Sequence, residues 1–288
     1  MSKILVTGGR GFLGKYVVAA LQDDHQVVSF DNMDPVCGGS GDFNNPYFVG
    51  DVRNLERLYD IVSKFEIDTI IHLAAYGRNL SCRDFPSKAW DVNVTGTKNV
   101  LEVARLNCGV KRVVVCSSNI VLSDVPTVYK TTKQVVEQLI ELYSTFGVSV
   151  MGLRPSNIYG KYQSKDEYQP CAFAGLDASY AQNGFFTITG DGTQARDWVH
   201  AADVARAFKI AAESEVRGST ADVCTGILTS MNEVATMLNV SVKYTDARPG
   251  DAKELISDPT VMEATFGFEA DIKLEDGIWD AFPSVPRL

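Results

Sequence analysis

Basic residues, histidines and long apolar runs are all scarce in this 288-residue chain. Lys and Arg total 27 against 36 Asp and Glu, which gives a formal net charge of −9 at pH 7. A nucleic-acid-binding surface needs clustered cations, so we expect no nucleic-acid partner. No apolar stretch approaches the ~20 residues of a membrane helix, and the chain starts directly on a strand-like segment. We therefore expect neither a membrane span nor a secretory signal.

Paired cysteine spacings are missing as well. The six cysteines are scattered, several of them in apolar contexts, which predicts reduced thiols that pack inside a cytoplasmic protein. His25, His72 and His200 lie far apart and away from any cysteine pair, so we expect no metal site. His200 is predicted to be structural.

Strand and helix patterns alternate over the first half of the chain. Strands are predicted near 3–7, 26–30, 47–49, 69–73, 111–117 and 148–154, and helices near 12–23, 54–64, 86–107 and 127–146. This alternation is typical of an α/β fold with a Rossmann-type, doubly wound parallel sheet. Farther along, we predict a strand at 185–188 and a helix that Asp203 caps.

The pattern shortens in the second half and predicts a second, smaller lobe. We assign 1–155 and 184–218 to the larger lobe. The smaller, discontinuous α+β lobe takes 156–183 and 219–288. The cleft between the lobes is the expected substrate site.

A glycine turn follows the first strand without a break. Gly8, Gly11 and Gly14 are spaced for a tight turn, a close approach to a pyrophosphate, and packing of the next helix on the strand. The N-terminus of that helix directs free N–H groups at the phosphates. The larger lobe is therefore predicted to bind a dinucleotide; the alternative is a glycine-rich turn without a ligand.

Two acidic residues follow the next two strands. Asp31 ends the second strand, where its carboxylate can bind the adenosine ribose hydroxyls and repel a 2′-phosphate, which favours NAD over NADP. Arg10, in the glycine turn, is a cation that would weaken this preference. Asp51 follows the third strand and is predicted to bind the adenine amino group; the alternative is a cap for the helix from Leu55.

A tyrosine and a lysine lie one turn apart on a predicted helix, and hence on one face of it. The ammonium of Lys133, together with the positive ring of a nicotinamide, would favour the phenolate and lower the pKa of Tyr129 from its usual ~10. Tyr129 is therefore a candidate general acid–base next to a hydride acceptor. Ser118 lies at the carboxyl end of the fifth strand and is predicted to hold the reacting oxygen. The alternative is a serine that bonds its own backbone.

Together these motifs resemble the extended short-chain dehydrogenase/reductases, and within them the NAD-dependent sugar-nucleotide epimerase/dehydratase family. The resemblance is greatest to the UDP-glucose 4-epimerase branch. The matching segments are TGGRGFLG (7–14), Asp31-Asn32, GDVR (50–53), HLAA (72–75), NVTGTKNVLE (93–102), Ser117-Ser118, YKTTK (129–133), LRPSNIYG (153–160), GDGTQARDWVH (190–200) and RPGD (248–251).

The resemblance implies a role for each matched residue. Tyr129 would be the acid–base, Lys133 would bind the nicotinamide ribose and tune Tyr129, and Ser118 would orient the substrate. The implied cofactor-binding residues are Gly8, Gly11, Phe12, Leu13, Gly14, Asp31, Asn32, Asp51, Val52, Leu73, Ala74, Ala75, Asn93, Tyr129 and Lys133.

Asn157, Arg196, Arg248 and Asp251 would bind the nucleotide sugar, with the two arginines on the diphosphate. The alternative for each arginine is a surface ion pair, for instance with Asp197 or Asp251. The resemblance also implies a homodimer in which helices near 86–107 and 127–146 form a four-helix bundle.

The chain departs from parts of the family pattern. Family dehydratases carry an acidic pair where Asn119 and Ile120 stand here, so elimination of water is not expected. The cysteine of the fucose-synthase type of enzyme is missing at about the Ile120 position. The segment from Ser118 to Tyr129 is also shorter than is usual in the family, and it usually covers the substrate.

We therefore predict NAD-dependent 4-epimerisation of a nucleotide-activated hexose, most simply a UDP-hexose, through a transient 4-keto intermediate. One alternative is an NAD(P)H-dependent 4-keto-sugar-nucleotide reductase. Another is a non-catalytic NAD-binding sensor or scaffold that kept the fold.

Overall fold

A seven-stranded parallel sheet forms the larger part of the protein. The computed structural model describes residues 1–33, 45–163, 171–247 and 253–287. The strands of this sheet are β1 (Lys3–Thr7), β2 (Gln26–Asp31), β3 (Tyr47–Val49), β4 (Thr69–His72), β5 (Arg112–Cys116), β6 (Val150–Pro155) and β10 (Thr220–Val223). Their order is β10-β6-β5-β4-β1-β2-β3, and the strand order reverses between β1 and β4. Ligands of such sheets bind outside the carboxyl ends of the strands near that point.

Helices cover both faces of this sheet. They are α1 (Phe12–Leu21), α2 (Leu55–Lys64), α5 (Gly96–Leu106), α6 (Val128–Thr145) and α8 (Ala201–Glu213). In β1, Ile4 and Val6 pack in one apolar core with α1 and α8, whereas Leu5 packs in the other with α2, α5 and α6. This alternation along a strand explains why its sequence is apolar throughout.

The predicted helix over 86–107 is one continuous helical stretch. It consists of α4 (Pro86–Trp90), a π-helical turn (Asp91–Thr95) and α5. A short α3 (Asn79–Asp84) precedes it. A π-helical turn inside a longer helix often marks a functional site, and this one carries the predicted site residue Asn93.

A smaller lobe is built from short strands around an aromatic core. Its strands are β7 (Asn157–Tyr159), β8 (Phe186–Thr189), β9 (Ala195–His200), β11 (Leu228–Ser230), β12 (Val242–Thr245) and β13 (Glu254–Leu255). Its helices are α7 (Ala172–Asn183), α9 (Met231–Met237) and α11 (Leu274–Gly277), with a short 3₁₀ turn at Ile278–Asp280. The remaining helix, α10 (Thr260–Phe266), packs through Met262 in the core of the large sheet. In its core, Phe173 stacks on Trp198 with ring centroids 4.1 Å apart.

The sheets divide the chain differently from the predicted lobes. β10 pairs with β6, so residues 220–223, which we assigned to the smaller lobe, belong to the large sheet. β8 and β9 were assigned to the larger lobe. Among the described strands, however, β8 pairs with β12, and β9 pairs with β7, β11 and β13. Contacts between residues distant in sequence determine which strand a short strand pairs with. The local sequence pattern of that strand therefore does not reveal its partner.

The predicted Asp203 cap is wrong, and the capping alternative for Asp51 does not hold. α2 is capped by Asn54, whose side chain accepts from the Arg57 N–H at 2.9 Å, and not by Asp51. α8 begins at Ala201 and is capped by His200, so Asp203 lies inside its first turn. The cap gives His200 the structural role that the sequence suggested.

Among the described residues, no helix is long and apolar enough to span a membrane. In the same residues, no group of three or more His, Cys, Asp or Glu side chains could hold a metal ion. Cys82, Cys108, Cys116, Cys171 and Cys224 carry free thiols, and Cys37 lies outside the described residues. Burial raises the pKa of the Cys82 thiol to about 11, which keeps it protonated and unreactive.

A buried histidine ends β4. The His72 Nδ1 lies 2.7 Å from the Thr7 hydroxyl, and its Nε2 lies 3.0 Å from the Thr97 hydroxyl. Thr97 donates its own hydrogen to the Asn93 carbonyl at 2.6 Å. The Nε2–H of His72 must therefore donate to Thr97, and Nδ1 must accept from Thr7. Burial lowers the pKa of His72 to about 3, so the ring is neutral in the native protein.

This histidine predicts how stability depends on pH. In the unfolded chain its pKa returns to ~6.5, so between pH ~6.5 and about 3 the unfolded state binds the proton and the native state does not. The free energy of unfolding should therefore fall as the pH is lowered through this range, by up to about 1.4 kcal/mol per pH unit from this residue. Urea titrations between pH 4 and 8 on the wild type and His72→Asn would measure it.

The same substitution at His25, which bonds to Glu213 at 2.9 Å, is the control. The His25→Asn variant should retain the part of the pH dependence of the unfolding free energy that His72 produces. An unchanged slope in His72→Asn would contradict the assignment.

Candidate active site

At the glycine turn, backbone atoms of Gly8 lie close to those of Ala74, and backbone atoms of Gly14 lie close to those of Gly8. Gly8 has a φ of 71°, and its N–H donates to the Phe30 carbonyl at 2.8 Å. A Cβ at Gly8 would lie 2.8 Å from the Ala74 nitrogen, and a Cβ at Gly14 would lie 2.0 Å from the Gly8 oxygen. Only glycine fits at these positions. The first N–H groups of α1 have no acceptor within the helix, and they face the space that the glycines leave open.

A cavity of about 290 Å³ opens in front of this turn. It is lined by twelve of the fifteen predicted cofactor-binding residues: Gly8, Gly11, Phe12, Leu13, Gly14, Asp31, Asn32, Asp51, Val52, Leu73, Ala74 and Ala75. A dinucleotide requires a glycine turn with space that a Cβ would fill, together with a helix N-terminus and two carboxylates. The residues present therefore fit NAD.

The Asp31 carboxylate keeps room for a ligand, whereas both oxygens of Asp51 accept from Arg53. Asp31 is 7% exposed, and its two oxygens accept from the N–H groups of Arg10 at 3.0 Å and Met33 at 3.1 Å. Each carboxylate oxygen can take a further hydrogen bond, for example from a ribose hydroxyl. The side chain of Asp51 accepts from Arg53, and this hydrogen bond lowers the pKa of Asp51.

Three predicted catalytic residues converge at the carboxyl end of β5. Tyr129 and Ser118 line the same cavity, and hydrogen bonding with Ser118 acts to lower the pKa of Tyr129. The ammonium of Lys133 donates to the Cys116 carbonyl at 2.7 Å and lies 5.8 Å from the centroid of the Tyr129 ring. Ser118 also accepts from the Ile120 N–H at 3.3 Å, so the backbone-bonding alternative for this serine holds as well.

Burial governs the proton affinities at this site. It raises the pKa of Tyr129, and the hydrogen bond with Ser118 offsets only part of that rise. It lowers the pKa of Lys133. In the protein without NAD the pKa of Tyr129 is thus raised, because removal of the phenolate from water outweighs the hydrogen bonding. The predicted lowering, which involves the positive nicotinamide ring as well as Lys133, stays a prediction. In the free protein Tyr129 is a neutral phenol.

Asn93 is buried and follows Val92, which lines the dinucleotide cavity. Its Oδ1 accepts from the Tyr76 N–H at 2.7 Å, and its Nδ2 donates to the Tyr76 carbonyl at 3.0 Å and to the Thr132 hydroxyl at 3.1 Å. These bonds hold the segment after β4 against α6. Contact of Asn93 with the cofactor stays a prediction, as it does for Tyr129 and Lys133.

Two further cavities meet near Tyr129. The first, which we call the sugar cavity, has about 330 Å³ and is lined by Ser118 and Tyr129. The second, the nucleotide cavity, has about 400 Å³ and is lined by residues 187–189 and Trp198. The two share a waist formed by Asn157, Cys171, Ala172 and Arg196.

Two of the four predicted substrate residues lie in the described part of the chain. Asn157 and Arg196 lie at the waist. The carboxylate of Asp197, one alternative partner of Arg196, is fully buried and accepts from Ser156, Thr225 and Gly226. Arg248 and Asp251 lie outside the described residues.

Arg78 lines the sugar cavity, and the sequence analysis missed it. Its only signal in the sequence was a cation placed shortly after the HLAA segment at the end of β4. Cys171 and Ala172, also missed, reach the waist because α7 begins there. The dinucleotide and sugar cavities thus lie at the carboxyl ends of strands of one sheet, with Tyr129 and Ser118 on the sugar side.

Residues 4–224 match the NAD dependent epimerase/dehydratase family. The chain belongs to this family. A UDP-glucose 4-epimerase of Mycolicibacterium smegmatis is 29% identical over 311 residues, which covers 96% of this chain and 96% of that protein. The UDP-glucose 4-epimerase of Thermotoga maritima, solved with UDP-glucose, has a TM-score of 0.88 and 25% identity, and 98% of each chain is covered. MoeE5, solved with UDP-glucuronic acid and NAD, has a TM-score of 0.84 and 31% identity over 98% of each chain.

Proposed function

We propose that this protein is an NAD-dependent epimerase that inverts C4 of a UDP-hexose. The observation that carries this proposal is the convergence of Tyr129, Ser118 and Lys133 between a dinucleotide cavity and a two-part substrate groove. Proteins of known structure that cover nearly the whole chain hold UDP-glucose, or UDP-glucuronic acid with NAD.

The residues at the site supply acid–base chemistry and orientation. Tyr129 would exchange a proton with the 4-hydroxyl of the sugar, while Ser118 holds that oxygen by a hydrogen bond. The Cys116 carbonyl fixes the ammonium of Lys133 beside them. NAD, when bound, supplies the hydride acceptor and a positive ring that favours the phenolate of Tyr129.

The sugar cavity favours epimerisation over dehydration. Loss of water would need a carboxylic acid near the leaving hydroxyl, and none of the described residues that line this cavity is an Asp or a Glu. Asn119, at the position of the family acid, is buried and donates its amide to the Ser257 hydroxyl at 3.2 Å. Removal of a hydride from C4 and its return to C4 would need no further acid.

The segment between Ser118 and Tyr129 favours a roomy pocket. It forms a single 3₁₀ turn (Asn119–Leu122), and Leu122 at its end is 44% exposed. In 4-epimerisation the keto sugar must present its other face to the same nicotinamide. A short segment over the cavity suits that rotation.

We further propose that the protein is a cytoplasmic homodimer. Large apolar side chains are exposed on or beside α4 and α6, among them Phe85, Trp90, Leu142 and Phe146. Exposed apolar groups of this size mark interaction surfaces. The free thiols suit a reducing compartment. Sedimentation equilibrium would test the dimer, which a monomer at micromolar concentration would refute.

Cofactor retention tests the reaction type. An epimerase should purify with NAD bound and should turn over UDP-hexose with no net change in absorbance at 340 nm, because each hydride taken is returned. A reductase would consume added reduced cofactor. A protein that retains NAD but alters none of the UDP-, GDP-, CDP- or dTDP-hexoses would refute the proposal and favour a sensor.

A further inference from the structure

Arg78 has an unusual backbone conformation at the edge of the sugar cavity. It is the N-cap residue of α3, with a φ of 77° and a ψ of 131°. Residues other than glycine rarely adopt this backbone conformation. Such a conformation costs free energy and persists where the surrounding structure holds it, most often at ligand sites. The chain therefore places an arginine where glycine would be the easier choice.

The surroundings of Arg78 bring three parts of the fold together. The Arg78 Nη2 donates to the Cys171 Sγ at 3.8 Å, which ties it to the start of α7. The next residue, Asn79, accepts from the Thr127 hydroxyl at 3.1 Å, and Thr127 caps the helix that carries Tyr129. Since Cys171 is a waist residue, the guanidinium of Arg78 lies where the sugar cavity meets the waist.

A guanidinium at this place is suited to an anionic group of the substrate. Its planar array of donors matches the oxygens of a phosphate or a carboxylate. We propose that Arg78 binds an anionic oxygen group of the nucleotide sugar, in addition to Arg196 at the waist. This rests on the proposed function. Two groups share the required chemistry: the phosphate that joins the sugar, and a carboxylate on the hexose itself.

The test measures binding and not turnover. Calorimetric titration of the NAD-loaded protein with UDP, UDP-glucose and UDP-glucuronic acid gives three values of Kd. Arg78→Gln should raise Kd by about tenfold to hundredfold for each ligand that carries the bound group, because a charge-assisted hydrogen bond is lost. Arg83→Gln is the matched control, since Arg83 lies on the same helix and pairs with Asp84 at the surface.

The pattern of the three values identifies the group. Equal weakening of all three ligands assigns Arg78 to the phosphate, and weakening of UDP-glucuronic acid alone assigns it to a sugar carboxylate. Values within twofold of the wild type for all three would overturn the inference. A wild type that binds none of them would instead refute the proposed function.

A second variant separates ligand binding from a structural role. Arg78→Gly removes the side chain and also relieves the strained backbone. If Arg78 is retained for the ligand, this variant should melt no lower than the wild type and should still bind UDP-sugars more weakly. A variant that melts lower and binds as tightly as the wild type would show that Arg78 only supports the fold.

Discussion

Replacement of Tyr129 by Phe is expected to lower kcat by about 10²–10⁴-fold, the usual contribution of a general acid–base. The substitution removes one oxygen, the proposed proton-exchanging atom of a side chain that lines the sugar cavity. The ring and its packing remain. The NAD content as purified and the Kd for UDP should change little, because neither ligand depends on that oxygen for its main contacts. Steady-state kinetics with a UDP-hexose and absorbance spectra of the purified protein would measure both.

Tyr143→Phe provides the control on the same helix. The Tyr143 hydroxyl donates to Glu102 at 3.1 Å, away from the cavities, so its loss should leave kcat within about twofold of the wild type. If Tyr129→Phe retained full activity, the assignment of Tyr129 as acid–base would be rejected.

Replacement of Gly14 by Ala is expected to abolish the retention of NAD. The new Cβ would lie 2.0 Å from the Gly8 oxygen and 2.8 Å from Gly9 backbone atoms, so α1 must move away from the glycine turn. Overpacking of this kind costs about 1–3 kcal/mol or more, and it also displaces the helix N-terminus that faces the phosphates. Absorbance of the purified protein and thermal melting should show low cofactor content and a lower Tm.

Gly109→Ala is the matched substitution outside the site. A Cβ there would meet only the side-chain oxygen of Asn107, at 3.1 Å, and that side chain can move aside. This variant should purify with normal NAD content. Wild-type cofactor content in Gly14→Ala would contradict the role assigned to the glycine turn.

The large sheet and the dinucleotide cavity could be predicted because their signals are local. Strands buried on both faces, such as 113–115, must be apolar throughout, and the glycine turn needs Gly8 and Gly14 for steric reasons alone. Twelve predicted cofactor residues accordingly line one cavity.

Other features depend on contacts between distant parts of the chain. Because β10 pairs with β6, residues 220–223 belong to the large sheet and not, as predicted, to the smaller lobe. Nothing in these four residues specifies that partner. The pKa of Tyr129 is set by its burial, which the spacing to Lys133 does not reveal. Arg78 belongs to none of the motifs, and its position at the site depends on contacts among α3, α6 and α7.

A proton NMR experiment on UDP-glucose in D₂O without added cofactor tests the proposed epimerisation directly. We expect C4 to invert to an equilibrium mixture of epimers and to keep its original hydrogen, because the hydride returns to the carbon it left. Deuterium at C4, or a requirement for stoichiometric reduced cofactor, would contradict it.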